Sequence, residues 1–311
     1  MADEISRLRR PGNPCHLMNA MLLNDLLQHP RYRAWLGRVE PAWSLLEVMS
    51  LLALINVPAR LDRPSPIRLA ADFTAAEIAA SPAASHMLKL LRMADDADGL
   101  PLTSSGNLTR AVVADFAAML DWPGFDLALV SRFCRVVNEA DITPLHFLRI
   151  IAMRCGFLRK IRGRLVLANA GQQMLAPGAA AALQAIAFHA AFWRTNLGHF
   201  DRAPLPEWPQ SHIGVVLWSL AAAAHSWQSN DRLVRLCAIP DDSVIDAPER
   251  FPSFALDTRV LRTLLWFGLM EVGEALEDCR PPARALFRKT PLYDRFLGFN
   301  VRLEDADAPR H

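Results

Sequence analysis

Apolar residues recur at helical spacing along most of the chain, and proline or glycine marks the breaks between the runs. From about Asn19 to Met93 this pattern predicts a series of helices punctuated at Pro30, Gly37, Pro41, Pro58, Pro64, Pro66 and Pro82. A polar stretch, ADDADGLPLTSSGN, separates them from a second series. Its first helix has Ser105 or Asn107 as a candidate cap, an apolar stripe of Leu108, Val112, Phe116 and Met119, and Trp122-Pro123-Gly124 as a stop. A further helix is expected from about Phe125 to Val137.

The period changes after Asp141. Thr143 can cap a helix with Pro144 at its first position, and the helix runs to Cys155, where Gly156 can take the left-handed conformation that ends it. FLRKI, the turn Arg162-Gly163 and RLVLA then predict a two-stranded hairpin, after which NAGQQML returns to helix. Three helices followed by a two-stranded wing is the order of a winged-helix domain. Similar grammar recurs near the C-terminus: a helix from about Asp257 to Phe267-Gly268, the strand LMEV, an acidic excursion holding Pro281-Pro282, the strand ALFRK, and TPLYDRFL with Thr290 as cap and Pro291 in the first turn. The expected fold is mainly α with small β-hairpins. It consists of an N-terminal helical region (1–98), a first winged-helix unit (99–176), a connecting helical region (177–254) and a second winged-helix unit with a tail (255–311).

GFLRKIRGRLVLANAGQQML, and FGLMEV with FRKTPLYDRFL, resemble the "G-L-L then R-L-T-P-x-G" wing of bacterial winged-helix proteins, plasmid-borne ones among them. The resemblance covers residues 99–175 and 255–298 and implies a fold more than a function. Ala168 stands where that pattern has Thr, and Tyr293 where it has Gly.

Composition narrows the classes. With 311 residues, 52% hydrophobic and 21% charged, the chain is globular and long enough for two cores. Lys89, Lys160 and Lys289 are its only lysines, so arginine carries the positive charge, which together with abundant alanine suits a GC-rich bacterial gene. The five cysteines, Cys15, Cys134, Cys155, Cys237 and Cys279, are scattered and odd in number, pointing to a reducing cytoplasm rather than a disulfide framework or zinc site. The N-terminal segment lacks the apolar core of a signal peptide, so no export is expected. The apolar stretches at 45–57 and 213–224 are too short or too interrupted to span a bilayer and are expected as core helices, with no membrane partner.

Charge is unevenly placed. From Ile142 through Phe200 there is no Asp or Glu, while Arg149, Arg154, Arg159, Lys160, Arg162, Arg164 and Arg194 contribute +7 to a chain total of +2, leaving −5 elsewhere. Arg159, Lys160, Arg162 and Arg164 cluster at the hairpin turn, with Arg149 and Arg154 on the preceding helix. Basic groups on a wing suit the phosphate backbone of a nucleic-acid duplex, DNA above all. That preceding helix, TPLHFLRIIAMRC, is apolar nearly all round, as buried helices are, so reading a major groove with it is not expected. The alternative is a winged-helix interaction scaffold whose basic wing meets an acidic protein.

Other constellations carry less. His189 and His199 are ten residues apart with no acidic residue in their segment, so no metal is expected there. Cys15-His16 lacks an evident base and orienting group. Asp95, Asp96 and Asp98 lack the glycine placement and closing Glu of a calcium loop. No phosphate-cradling, dinucleotide or nucleophile-elbow motif occurs, so neither catalysis nor a cofactor is expected. Trp193, Trp208, Trp218, Trp227 and Trp266 all fall in the second half, where surplus aromatic surface suits either an oligomer interface or packed core.

Overall fold

The structure is a computed structural model that describes residues 29–61, 64–176, 178–201, 205, 207–273 and 285–304. The protein is mainly α-helical with small sheets, and its described residues divide into two compact units. The unit central in sequence is Ala70–Thr195 with Leu265–Leu269. The flanking unit joins the described residues up to Leu69 to Asn196–Leu264 and to those from Met270 onward.

In chain order the flanking unit begins with α1 (Pro30–Leu36), α2 (Val48–Asn56) and β1 (Ile67–Leu69). The central unit follows with α3 (Ala75–Ala79), α4 (Pro82–Asp96), β2 (Leu100–Pro101), α5 (Arg110–Ala118), α6 (Leu127–Phe133), α7 (Thr143–Arg154), β3 (Leu158–Ile161), β4 (Arg164–Leu167), α8 (Asn169–Leu175) and α9 (Leu183–Arg194). The flanking unit resumes with α10 (Ile213–Ala223), β5 (Gln228–Ser229), α11 (Asn230–Cys237), α12 (Asp242–Ile245) and α13 (Arg250–Leu256). A π turn at Asp257–Leu261 then leads into α14 (Arg262–Trp266), β6 (Met270–Gly273), β7 (Leu286–Lys289), α15 (Pro291–Phe296) and β8 (Leu297–Phe299).

Local chemistry accounts for the main elements of the central unit. Ser81 caps α4 by accepting from the Ala84 amide, and Pro82 opens the first turn. Ala83, Met87, Leu90, Leu91 and Ala94 then bury the apolar stripe. Leu145, Leu148 and Ile151 of α7 are fully buried, as is Phe147, whose ring lies 4.9 Å from Trp266 and 6.3 Å from Phe267. The carboxamide of Gln184 donates to the Phe267 carbonyl and accepts from the Ser81 hydroxyl, securing Leu265–Leu269 within this unit. Gly156 and Gly268 both end helices at positive φ (74° and 72°), where a side chain would be strained.

The two three-stranded sheets share one strand order. In the central sheet the strand order is β2-β4-β3, and in the flanking sheet β5-β7-β6, all antiparallel. Each sheet thus joins a hairpin that follows a helix to a two-residue strand placed earlier in the chain. A third pairing sets β1 against β8, with Ile67 opposite Phe299 and Leu69 opposite Leu297. The flanking core holds a buried ion pair: Arg259 donates to both oxygens of Asp201 (2.7 and 2.9 Å) and to the carbonyls of Leu205 and Trp208.

Several expected boundaries move. The helix expected to be capped by Ser105 or Asn107 starts at Arg110 with Thr109 as N-cap, because residues 103–107 close a turn and the Leu108 amide donates to Glu139. The helix expected to reach Val137 stops at Phe133, and the one expected from Asp257 begins at Arg250. Trp208, Trp218 and Trp266 are buried, Trp193 is half-buried and Trp227 is the exposed one of the five tryptophans. Cys15-His16 and the second wing's tip with Pro281-Pro282 lie outside the described residues.

Candidate nucleic-acid interface

The hairpin β3–β4 places the basic residues. Its two-residue connection has positive φ at both Arg162 (46°) and Gly163 (74°), the requirement of a type I′ turn, and Ile161 pairs with Arg164 across it. Gly meets that requirement freely. Arg162 meets it at a steric cost of roughly 1 kcal/mol. Along β3 the side chains alternate, so that Lys160 lies opposite the buried Leu165 and Arg159 opposite Val166 on the other face. The Lys160 ammonium reaches over Gly106, where an added Cβ would lie 2.9 Å from Nζ.

Arg159, Lys160 and Arg162 are exposed and form no ion pair among the described residues; the same holds for Arg154 at the end of α7. Arg164 is exposed but committed, donating from Nε to the Asp98 carbonyl (3.1 Å) and from Nη2 to those of Ala97 (2.7 Å) and Gly99 (2.6 Å). It ties the hairpin to the end of α4, leaving its charge at the surface.

Arg149 overturns its expectation as a phosphate ligand. It is 7% exposed, its Nε donates to Glu139 at 2.5 Å, and Nη1 donates to the Gly106 carbonyl. Glu139, itself 1% exposed, also accepts from the Leu108 amide (2.7 Å) and meets His146 Nδ1 at 3.0 Å. Burial pushes this carboxyl up, but His146, the Leu108 amide and Arg149 outweigh burial and hold it below the ordinary value of 4.5. The acid-free window starting at Ile142 hid this partner, three residues upstream.

In the corresponding hairpin of the flanking unit the described cations are paired. Arg288 pairs with Glu271 at 2.7 Å and lies over the Trp227 ring at 4.6 Å, and Lys289 pairs with Asp294 at 2.8 Å. No carboxylate does this on β3 or β4, whose sequences contain none.

Among the described residues no group of three or more His, Cys, Asp or Glu could hold a metal, and no single helix is long and apolar enough to cross a membrane. His189 stacks on Trp193, with ring centroids 5.6 Å apart. A depression of about 420 Å³ between α3, α4 and residues 178–181 is rimmed by Lys89 and Arg92, but the Lys89 ammonium already donates to the Met119 carbonyl.

Comparison with known proteins singles out the same region. A family model described as the Y4jL N-terminal domain matches residues 79–181, from the end of α3 past α8. The match lies within the central unit. The uncharacterised protein y4jL of Sinorhizobium fredii (strain NBRC 101917 / NGR234) is 33% identical over 109 residues, 35% of this chain and 49% of that protein. The chain therefore spans about half the length of the curated relative it matches. No solved structure matches the chain.

Proposed function

We propose that this is a cytoplasmic nucleic-acid-binding protein of bacterial type, built on two winged-helix units and without chemistry of its own. Its central wing grips the phosphate backbone of a duplex, in the first instance DNA. The repeated helix, short strand, helices and hairpin, with the early strand added beside the last strand of the hairpin, supports the winged-helix reading of both units. The observation that carries the function is the set of exposed cations Arg159, Lys160 and Arg162 on a hairpin without a carboxylate, against a second hairpin whose described cations, Arg288 and Lys289, are paired. Arg154 adds a fourth charge from α7 and Arg164 a fifth that is partly spent on carbonyls. Because α7 is buried, it offers no side-chain row to a major groove, and contact led by the wing discriminates little between sequences.

Fluorescence anisotropy of a labelled random duplex, titrated at two salt concentrations, tests this. Affinity should fall steeply with salt, and the triple replacement Arg159→Ala, Lys160→Ala, Arg162→Ala should reduce the magnitude of the log–log salt slope by about 3, since each phosphate contact contributes roughly 0.9. The loss should be similar on every sequence tested. No binding at low salt overturns the proposal and turns attention to an acidic protein partner for the wing.

A further inference from the structure

The helix α6 buries none of its seven residues. Leu129 is 49% exposed, Phe133 81%, and Val136 just beyond the helix 43%. Leu129 and Phe133 are four residues apart, hence on one face. Charge is segregated along the same short element. Asp126, exposed, caps its N-terminus by accepting the Ala128 and Leu129 amides at Oδ1, while Arg132 and Arg135 are exposed at its C-terminal end. Neither arginine forms an ion pair among the described residues. With Asp126 at one end, Arg132 in the last turn, Arg135 just beyond it, and Leu129 and Phe133 between, the element is complementary in charge to a reversed copy of itself.

We propose that α6 is the seam of a homodimer, lying antiparallel against α6 of a second copy of the chain. About the two-fold axis Leu129 of one copy meets Phe133 of the other. Asp126 then comes within a turn of Arg132 and Arg135 of the second copy, and the helix dipoles oppose favourably. A parallel arrangement would set arginine against arginine, and a neutral or basic partner would leave both arginines unanswered. A seven-residue helix offers less than the roughly 800 Å² per partner of a standard interface, so the dimer forms only at raised protein concentration. The pairing is independent of what the wing binds.

Sedimentation equilibrium of the full chain from about 1 to 500 μM, at low and high salt, tests it. The wild type should pass from monomer to dimer, with dimerisation weaker at high salt. Phe133→Asp should remain monomeric with an unchanged melting temperature, since that side chain is exposed. Asp126→Asn retains the cap but removes the charge, and should weaken dimerisation several-fold and flatten its salt dependence. The Arg159→Ala, Lys160→Ala, Arg162→Ala chain should dimerise as wild type does, which separates this seam from the wing. A monomer at every concentration, a dimer indifferent to Phe133→Asp, or an unchanged salt dependence in Asp126→Asn would each overturn it.

Discussion

Arg162 holds a left-handed backbone that asparagine or glycine would hold at less cost. Arg162→Asn should therefore raise stability by roughly 1 kcal/mol, read as a higher urea midpoint with unchanged slope, while weakening duplex binding by one charge. Gaining both stability and affinity would separate the strain from the binding role. The turn itself was legible, because Arg162-Gly163 sits between two short apolar-alternating runs that nothing else can join. What each arginine does was not. Spacing treats Arg149, Arg154 and Arg164 alike, yet one is locked to a buried glutamate, one is exposed and one holds three carbonyls. Those fates depend on contacts made across ten residues by Arg149 and across more than sixty by Arg164.

At the scale of elements, Glu139 staples the start of α5 to α7. Because its folded carboxyl lies below 4.5, the stability it supplies is complete above that value and is lost as pH falls through the lower folded value. Urea midpoints should thus drop as pH falls below about 4.5, more steeply in wild type than in Glu139→Gln. At neutral pH that variant should already be about 3 kcal/mol less stable, because it strands the Arg149 charge. Replacing both, Glu139→Leu with Arg149→Met, should cost far less and leave duplex binding intact, since this arginine faces no phosphate. The helices and both hairpins could be read from caps, stops and alternation. The strand β5 could not: two residues carry no period, and it exists because a hairpin edge lies there to pair with it. The same limit displaced the starts of α5 and α13, whose first turns are settled by Glu139 and by packing rather than by the nearest polar residue.

For the whole molecule, the sequence pattern drew borders after residues 98, 176 and 254, where the chain draws its compact units from discontinuous stretches. Leu265–Leu269 belongs with Ala70–Thr195, through Trp266 beside Phe147 and Trp122 and through Phe267 beside Phe188. A fragment of residues 70–195 should consequently leave these rings uncovered and bind a hydrophobic dye that the full chain does not. Adding a peptide of residues 262–270 should suppress that signal, and a fragment that stays dark without it would refute the role of this segment. The flanking unit is discontinuous in a more demanding way, for its edge strand β1 pairs with β8, the Glu47 amide donates to the Arg302 carbonyl, and Leu46 bridges Leu303. During synthesis, then, the flanking unit is started before the central one and finished after it. At about 10 residues per second, some 20 s separate the appearance of Ile67–Leu69 from that of its partner strand, an interval in which the nascent chain presents an apolar edge to chaperones rather than to itself.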